Sequence, residues 1–79
     1  MKIDIEKFEE QYRKEYKFLY DHDNVAGEQE AAEAFDKFAP KHREFIGEFC
    51  KYIGDFITSD REAAAFMFAL EKFEMEGLA

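Results

Sequence analysis

Residue types that build reactive or cross-linked sites are scarce in this sequence. Its 79 residues include one cysteine, one serine, one threonine, one proline, two histidines and no tryptophan. A single cysteine cannot form an internal disulfide, which excludes a disulfide-stapled secreted scaffold. A structural zinc site takes four ligands, mostly Cys and His, and the chain holds only three such residues. We therefore expect no metal site and no cofactor.

The chain also lacks a long apolar segment. Its longest apolar run, Ala63 to Leu70, covers eight residues, whereas a helix that spans a membrane needs about 20. No basic segment followed by an apolar one opens the sequence, as a secretion signal would require. Together with the lone cysteine, these absences predict a cytoplasmic protein that does not contact a membrane.

Basic residues are in deficit. The chain has 11 Lys and Arg against 19 Asp and Glu, which gives a net charge of −8. Such a surface repels phosphate groups, whereas proteins that bind nucleic acid gain affinity by neutralising them. We expect no direct binding of nucleic acid, and a basic protein is the more suitable partner.

The residues that are present predict an all-α fold. Hydrophobic residues make up 47% of the chain and aromatic residues 18%, which is typical of a folding sequence. Apolar residues recur at helical spacing, and the length suits one domain, residues 1–79. Asp4 is a suitable N-cap, and Ser59 with Glu62 matches a capping box. We predict a compact bundle of about four helices with short loops, roughly 4–21, 25–38, 40–57 and 59–76.

Three local features lead to more specific predictions. Asp23 or Asn24 is expected to cap the second helix or to turn the chain into it. Gly47 and Gly54 weaken the third helix and share one face, so we expect another helix to approach closely there. The ten Phe are a large apolar load for a core of this size, so some are expected to face a partner.

Catalytic and metal-binding templates do not fit the polar residues. Asp21 and Asp23 have the spacing of the first two calcium ligands of an EF-hand, but Ala26 stands where that loop needs glycine. His42 and Cys50 lie about 12 Å apart along one predicted helix, which is beyond hydrogen-bonding reach. Because no catalytic group of residues results, we predict that the protein is not an enzyme.

The clearest pattern is an acidic interval between Lys17 and Lys37, in which no Lys or Arg occurs. Helix residues three and four apart lie about 5–6 Å from each other, so acids at this spacing can imitate a phosphate backbone. One interpretation is a partner-binding surface, and the alternative is a solvated helix face. Only Glu33→Lys37 offers an internal pair at helical spacing. The candidate partner-binding residues are the six acids Asp21, Asp23, Glu28, Glu30, Glu33 and Asp36.

Two apolar patterns indicate further interaction surfaces. Aromatic residues at i,i+4 spacing form a ladder along the first predicted helix, and this predicts either a ridge that faces the core or an interface. Its members are Phe8, Tyr12, Tyr16 and Tyr20. The last helix is apolar on every side along Ala63 to Leu70, which is typical of a central helix or of one covered by another chain. The candidate residues for an interface between copies of the chain are Phe66, Met67, Phe68 and Met75.

These observations lead to two functional hypotheses. The first is a protein-binding module that occupies the basic, nucleic-acid-binding site of a larger protein as an inhibitor or modulator. Small acidic helical proteins of this kind occur among the anti-restriction and anti-CRISPR proteins of phages and mobile elements, and among bacteriocin immunity proteins. That similarity is one of class and charge alone. The second hypothesis is a structural or regulatory homodimer or larger oligomer assembled through the last helix.

Overall fold

Four α-helices follow one another in the described chain, a computed structural model that covers residues 3–23 and 26–78. They are α1 (Ile5–Asp21), α2 (Glu28–Phe38), α3 (Arg43–Ile53) and α4 (Asp60–Met75), with a 3₁₀ turn, Ala39–Lys41, between α2 and α3. The radius of gyration of 11.6 Å equals the value of about 11.6 Å expected for a folded chain of this length. The predicted all-α class is confirmed. No helix of the described residues is long and apolar enough to cross a membrane.

The starts of α1 and α4 are set by the predicted caps. Asp4 Oδ1 accepts hydrogen bonds from the backbone N–H groups of Glu6 and Lys7, at 3.0 and 3.3 Å. At α4, the backbone N–H of Glu62 donates to the Ser59 hydroxyl at 3.2 Å, and the Ser59 N–H donates to the Glu62 carboxylate at 3.2 Å. These contacts satisfy N–H groups that have no partner within the helix, so both predicted caps are confirmed.

Asp23 does not cap α2, but it lies in a turn between α1 and α2, as the alternative prediction had it. α2 begins after Gly27, whose backbone is left-handed with a φ of 93°, and no described side chain caps it. Glycine adopts this conformation readily because it carries no Cβ atom. Asp23 bonds instead to a distant arginine, and Asn24 lies outside the described residues. The chain therefore enters α2 through the backbone freedom of a glycine.

The third predicted helix, residues 40–57, is shorter in the structure. Its first residues belong to the 3₁₀ turn, and α3 starts after His42, whose φ of −135° is not helical. α3 stops after Ile53 because Gly54 takes a φ of 71°, a left-handed conformation that commonly ends helices. No helix of the described chain makes the predicted close approach, since a Cβ atom on Gly47 or Gly54 would meet nothing within 4 Å.

α4 is the central helix and packs against both α1 and α2. Its apolar segment, Ala63 to Leu70, is buried except at Met67 and Phe68, which are partly exposed. The fully buried Phe66 ring meets aromatic rings from the other three helices, with centroids 5.0–5.9 Å away. Such pairs add stabilisation beyond that of burial alone. Of the two interpretations of this helix, the structure supports the central one.

Most of the ten Phe are used inside the chain. Eight are buried or half-buried, and two, Phe18 and Phe56, are 49% and 72% exposed. The Phe18 ring is stacked against the ring of His22 with centroids 4.4 Å apart. Phe56 makes no aromatic contact within the described chain, so the expected outward-facing phenylalanines reduce mainly to this one residue.

Candidate functional site

The first three of the six acids in the acidic interval, Asp21, Asp23 and Glu28, are neutralised by cations of the same chain, and we call them the first half of the interval. Lys17, one turn before Asp21 on α1, reaches it with an Nζ–Oδ2 distance of 3.0 Å. Arg61, in the first turn of α4, contacts both other acids of this half. Its Nη2 lies 2.9 Å from Asp23 Oδ1, and its Nε lies 3.3 Å from Glu28 Oε1. One arginine of α4 thus holds the end of the α1 region and the start of α2.

Arg61 is held by more than these two carboxylates. Its guanidinium carbon lies 5.7 Å from the ring centre of Tyr20, within range of a cation–π interaction. Partial burial acts to lower the pKa of Arg61, but the hydrogen bond and charge of Glu28, followed by those of Asp23, raise it overall. The cation is therefore stabilised in place, between α4 and the start of α2.

The second half of the interval has no such partner. Glu30, Glu33 and Asp36 are exposed on α2, and none forms an ion pair with a residue that the structure describes. The expected pair of Glu33 with Lys37 is absent as well. Like charges at this helical spacing destabilise a helix by roughly 0.2–0.5 kcal/mol per pair. We call these three residues the acidic face.

A groove between α2 and α4 extends the acidic face with two more carboxylates. Glu30 on α2 and Glu71 and Glu74 on α4 line it, without any described Lys or Arg, and its volume is about 360 Å³. The apolar side chains that line this α2–α4 groove are Ala31, Ala34, Met67, Phe68 and Leu70. An apolar floor with an acidic rim suits a segment that carries an apolar stripe and basic flanks.

The candidate partner-binding acids do not all share one depression. Glu28, Glu30 and Glu33 border a shallow depression beside Gly27. Asp36 instead lies at the rim of a separate groove on α3. The acidic face is therefore a row of charges along α2 whose first member also lines the α2–α4 groove.

The residues predicted for an interface between copies lie in different settings. Phe66 is fully buried within its own chain and has no surface to offer a second copy, which corrects that part of the prediction. The reason is that rings from the other three helices surround it. Met67 and Phe68 are half-buried on the floor of the α2–α4 groove. Met75 is 78% exposed at the end of α4.

The tyrosine ladder of α1 passes from the core to the surface along the helix. Phe8 and Tyr12 are buried, whereas Tyr16 and Tyr20 are exposed. Burial and then the neighbouring charge of Glu62 raise the pKa of Tyr12, which keeps its hydroxyl neutral. Only the first half of the ladder is therefore the core-facing ridge, and Tyr20 lies at Arg61 instead.

The polar residues that could carry chemistry are engaged at helix ends. The rings of His22 and His42 stack on Phe18 and Phe38, with centroids 4.4 and 4.2 Å apart. His22 Nδ1 also lies 2.9 Å from the Phe18 carbonyl oxygen. No group of three His, Cys, Asp or Glu side chains in the described chain is placed to hold a metal ion.

Sequence reasoning missed Arg61, Glu71 and Glu74. The two glutamates could have been found, because they share one face of α4 with Met67 at i,i+4,i+7 spacing. The pairing of Arg61 had no local signal, since it depends on how α4 lies beside α2. Comparison of the chain with protein-family models, with curated proteins and with solved structures found no match. Function must therefore be inferred from the chemistry of the surface itself.

Proposed function

We propose that the protein is a non-enzymatic, cytoplasmic protein-binding module that occupies a basic surface of a larger protein. The observation that carries this proposal is the unpaired state of the acidic face. The chain neutralises the first half of its acidic interval internally and leaves Glu30, Glu33 and Asp36 without an ion pair among the described residues. Their mutual repulsion costs free energy in the free protein, and a basic partner would remove that cost.

A nucleic-acid-binding site is the basic surface that best suits these carboxylates. The three acids of the face follow each other at three-residue intervals, about 5–6 Å apart on the helix. Exposed acids at this pitch offer a basic groove the kind of ion pairs that successive phosphates offer. A protein bound there would exclude the nucleic acid and act as an inhibitor or modulator. In class and charge it would resemble the anti-restriction and anti-CRISPR proteins of phages and mobile elements.

The α2–α4 groove supports the same proposal with an apolar contact. Its floor includes Met67, whose unbranched side chain adapts to differently shaped apolar surfaces. A partner segment could bury apolar side chains there while its Lys and Arg residues meet Glu71 and Glu74 at the rim. Burial of apolar area would add affinity that exposed ion pairs alone rarely provide.

Affinity capture from the source cell tests the proposal with three baits, at about 50 and 500 mM salt, because ion-pair contacts weaken with ionic strength. The first bait is the natural chain. The second, the face variant, carries Glu30→Lys, Glu33→Lys and Asp36→Lys. The third, the control variant, reverses three exposed acids elsewhere and carries Glu10→Lys, Glu48→Lys and Glu76→Lys. Each reversal adds two positive units, so both variants have a net charge of −2 instead of −8.

We expect the natural chain and the control variant to capture the same basic nucleic-acid-binding protein at low salt. The face variant should not capture it, and high salt should release it. Nucleic acid added to the complex should compete with the natural chain for the captured protein. Equal capture by all three baits, or capture of no basic protein, would contradict the proposal.

A further inference from the structure

A second groove lies on the outer side of α3. Its volume is about 730 Å³, about twice that of the α2–α4 groove. The floor of this α3 groove includes Ile46, Gly47 and Cys50. A Cβ atom on Gly47 would meet nothing within 4 Å, so the space above it is open. No other element of the described chain fills this side of α3.

The two ends of the α3 groove carry apolar surface that could meet its equivalent in a second molecule. At one end lies Phe56, the most exposed phenylalanine of the described chain. At the other end lie Ala39 and Pro40. An exposed aromatic ring gains free energy when it leaves water, and the groove floor between the ends has room for side chains from outside the chain.

The charges of the α3 groove distinguish it from the rest of the surface. Asp36 and Arg43 lie at one end, and Lys51 and Asp55 at the other, so the rim is neutral on a chain of net charge −8. None of the four forms an ion pair with a described residue. A strongly acidic or basic partner would leave two of these charges opposed. Two copies of this chain, in contrast, repel each other least where their surfaces are neutral.

A two-fold axis across α3 makes the two ends complementary. If the axis passes between Gly47 and Cys50, the antiparallel α3 helices place position 43 of one copy opposite position 54 of the other. Arg43 then faces Asp55 of the second copy, and Phe56 faces the Ala39 end of the opposite groove. A two-fold interface repeats each of these contacts. The glycine at position 47 lets the helices approach without a side chain between them.

We propose that the α3 groove is the interface of a symmetric antiparallel homodimer. Phe56 of each copy covers the groove of the other, and Arg43 pairs with Asp55 across the interface. The interface lies apart from the α2–α4 groove and shares only Asp36 with the acidic face, and neither of its proposed contacts, Phe56 in the groove and Arg43 with Asp55, uses that residue. It also replaces α4, whose Phe66 is enclosed in the core, as the surface for self-association.

Light scattering coupled to size exclusion tests the proposal. Protein concentrations of about 5–500 µM bracket a micromolar dissociation constant, and about 0.15 M salt screens the repulsion between two chains of like net charge. We expect a mass of twice 9.4 kDa at the highest concentration. Gly47→Leu should stay a monomer throughout. The Cβ atom of a leucine at this position meets nothing within 4 Å, the rest of its side chain occupies space in the groove, and leucine is a better helix former than glycine. A natural chain that stays monomeric over the whole range would overturn the proposal.

A charge exchange tests the predicted pairing directly. Arg43→Asp should weaken the dimer at least tenfold, and adding Asp55→Arg to the same chain should restore it. A thermal melt of each variant as a dilute monomer separates loss of the interface from loss of the fold. A dimer that tolerates both Arg43→Asp and Gly47→Leu would show that the chain associates elsewhere and overturn the α3 interface.

The single cysteine reports the position of the axis. Cys50 lies on the groove floor next to the proposed axis, so a short bismaleimide should link two copies of the natural chain efficiently. Gly47→Leu should abolish the link, and Cys50→Ala is the reagent control. A stable dimer that gives no linked product would overturn the antiparallel arrangement about this axis.

Discussion

The two halves of the acidic interval differ in what surrounds them, although the sequence presents them alike. In the first half, Asp23 and Glu28 share Arg61, and Asp21 pairs with Lys17. In the second half, the acidic face is exposed and has no ion pair among the described residues. The same residue types therefore hold the fold together in one half and leave an unbalanced surface in the other.

A stretch of sequence without Lys or Arg can therefore still have its acids neutralised, by cations from elsewhere in the chain. The cation that neutralises Asp23 and Glu28 comes from a helix that begins more than thirty residues later in the chain. Only the carboxylates that tertiary packing leaves unpaired are free to bind a partner. Mutations that leave the acids of the first half unpaired, or that remove the charges of the second half, therefore test which half binds the partner.

The largest expected effect is on partner affinity. Against the captured partner, the face variant should bind on the order of 100-fold more weakly than the natural chain, because three attractions become repulsions. The control variant, with the same net charge, should lose less than about tenfold, since it loses only long-range attraction. Isothermal titration calorimetry at low salt measures both. Equal losses in the two variants would mean that net charge alone, and not the acidic face, governs binding.

A smaller effect is expected from removing the cation of the first half. Arg61→Met leaves Asp23 and Glu28 as unpaired as the acidic face and should lower the melting temperature by about 2–6 °C. Amide hydrogen exchange at the start of α2 should become faster, while partner affinity is retained. Calorimetry and exchange mass spectrometry measure these changes. A variant that melts like the natural chain but no longer binds would reverse the roles assigned to the two halves.

The smallest expected effect is on the free energy of unfolding, which should change in opposite directions in two variants that each replace one glutamate by the uncharged glutamine. Glu33→Gln removes repulsion from acids on neighbouring turns and should raise the free energy of unfolding by about 0.3–0.5 kcal/mol. Glu28→Gln weakens a contact with Arg61 and should lower it. Urea unfolding of the two variants in parallel gives the comparison. The same sign for both would show that the two halves do not differ in internal pairing.

Local sequence signals predicted those parts of the fold that depend on neighbouring residues. The caps at Asp4 and Ser59 need only side chains within three residues of the helix start, so both could be read correctly. The end of α3 could not be placed, because the apolar spacing continues through Phe56 and Ile57. Gly54 ends the helix because its backbone is left-handed. Since glycine adopts left- and right-handed conformations about equally readily, the sequence does not show which one occurs.

The candidate site was predicted in outline only. The carboxylates of α2 were found from composition and spacing, but the division between paired and unpaired acids depends on where Arg61 lies in three dimensions. The same holds for Phe66, whose burial reflects rings from three other helices. The spacing of Glu71 and Glu74 on α4 could place them on one face with Met67, but that this face borders the acids of α2 depends on how the two helices pack, which no pattern within one helix shows.

The central claim, that the acidic face meets a basic surface, is tested most directly by the association rate at several ionic strengths. Stopped-flow or surface plasmon resonance would compare the natural chain, the face variant and the control variant against the captured partner. For the natural chain we predict a rate constant that falls at least tenfold between about 50 and 500 mM salt, as electrostatic steering is screened. The face variant should associate slowly at every salt concentration, with a rate constant that depends little on ionic strength. A natural chain whose rate is independent of salt, or a face variant with the same salt dependence, would contradict the claim.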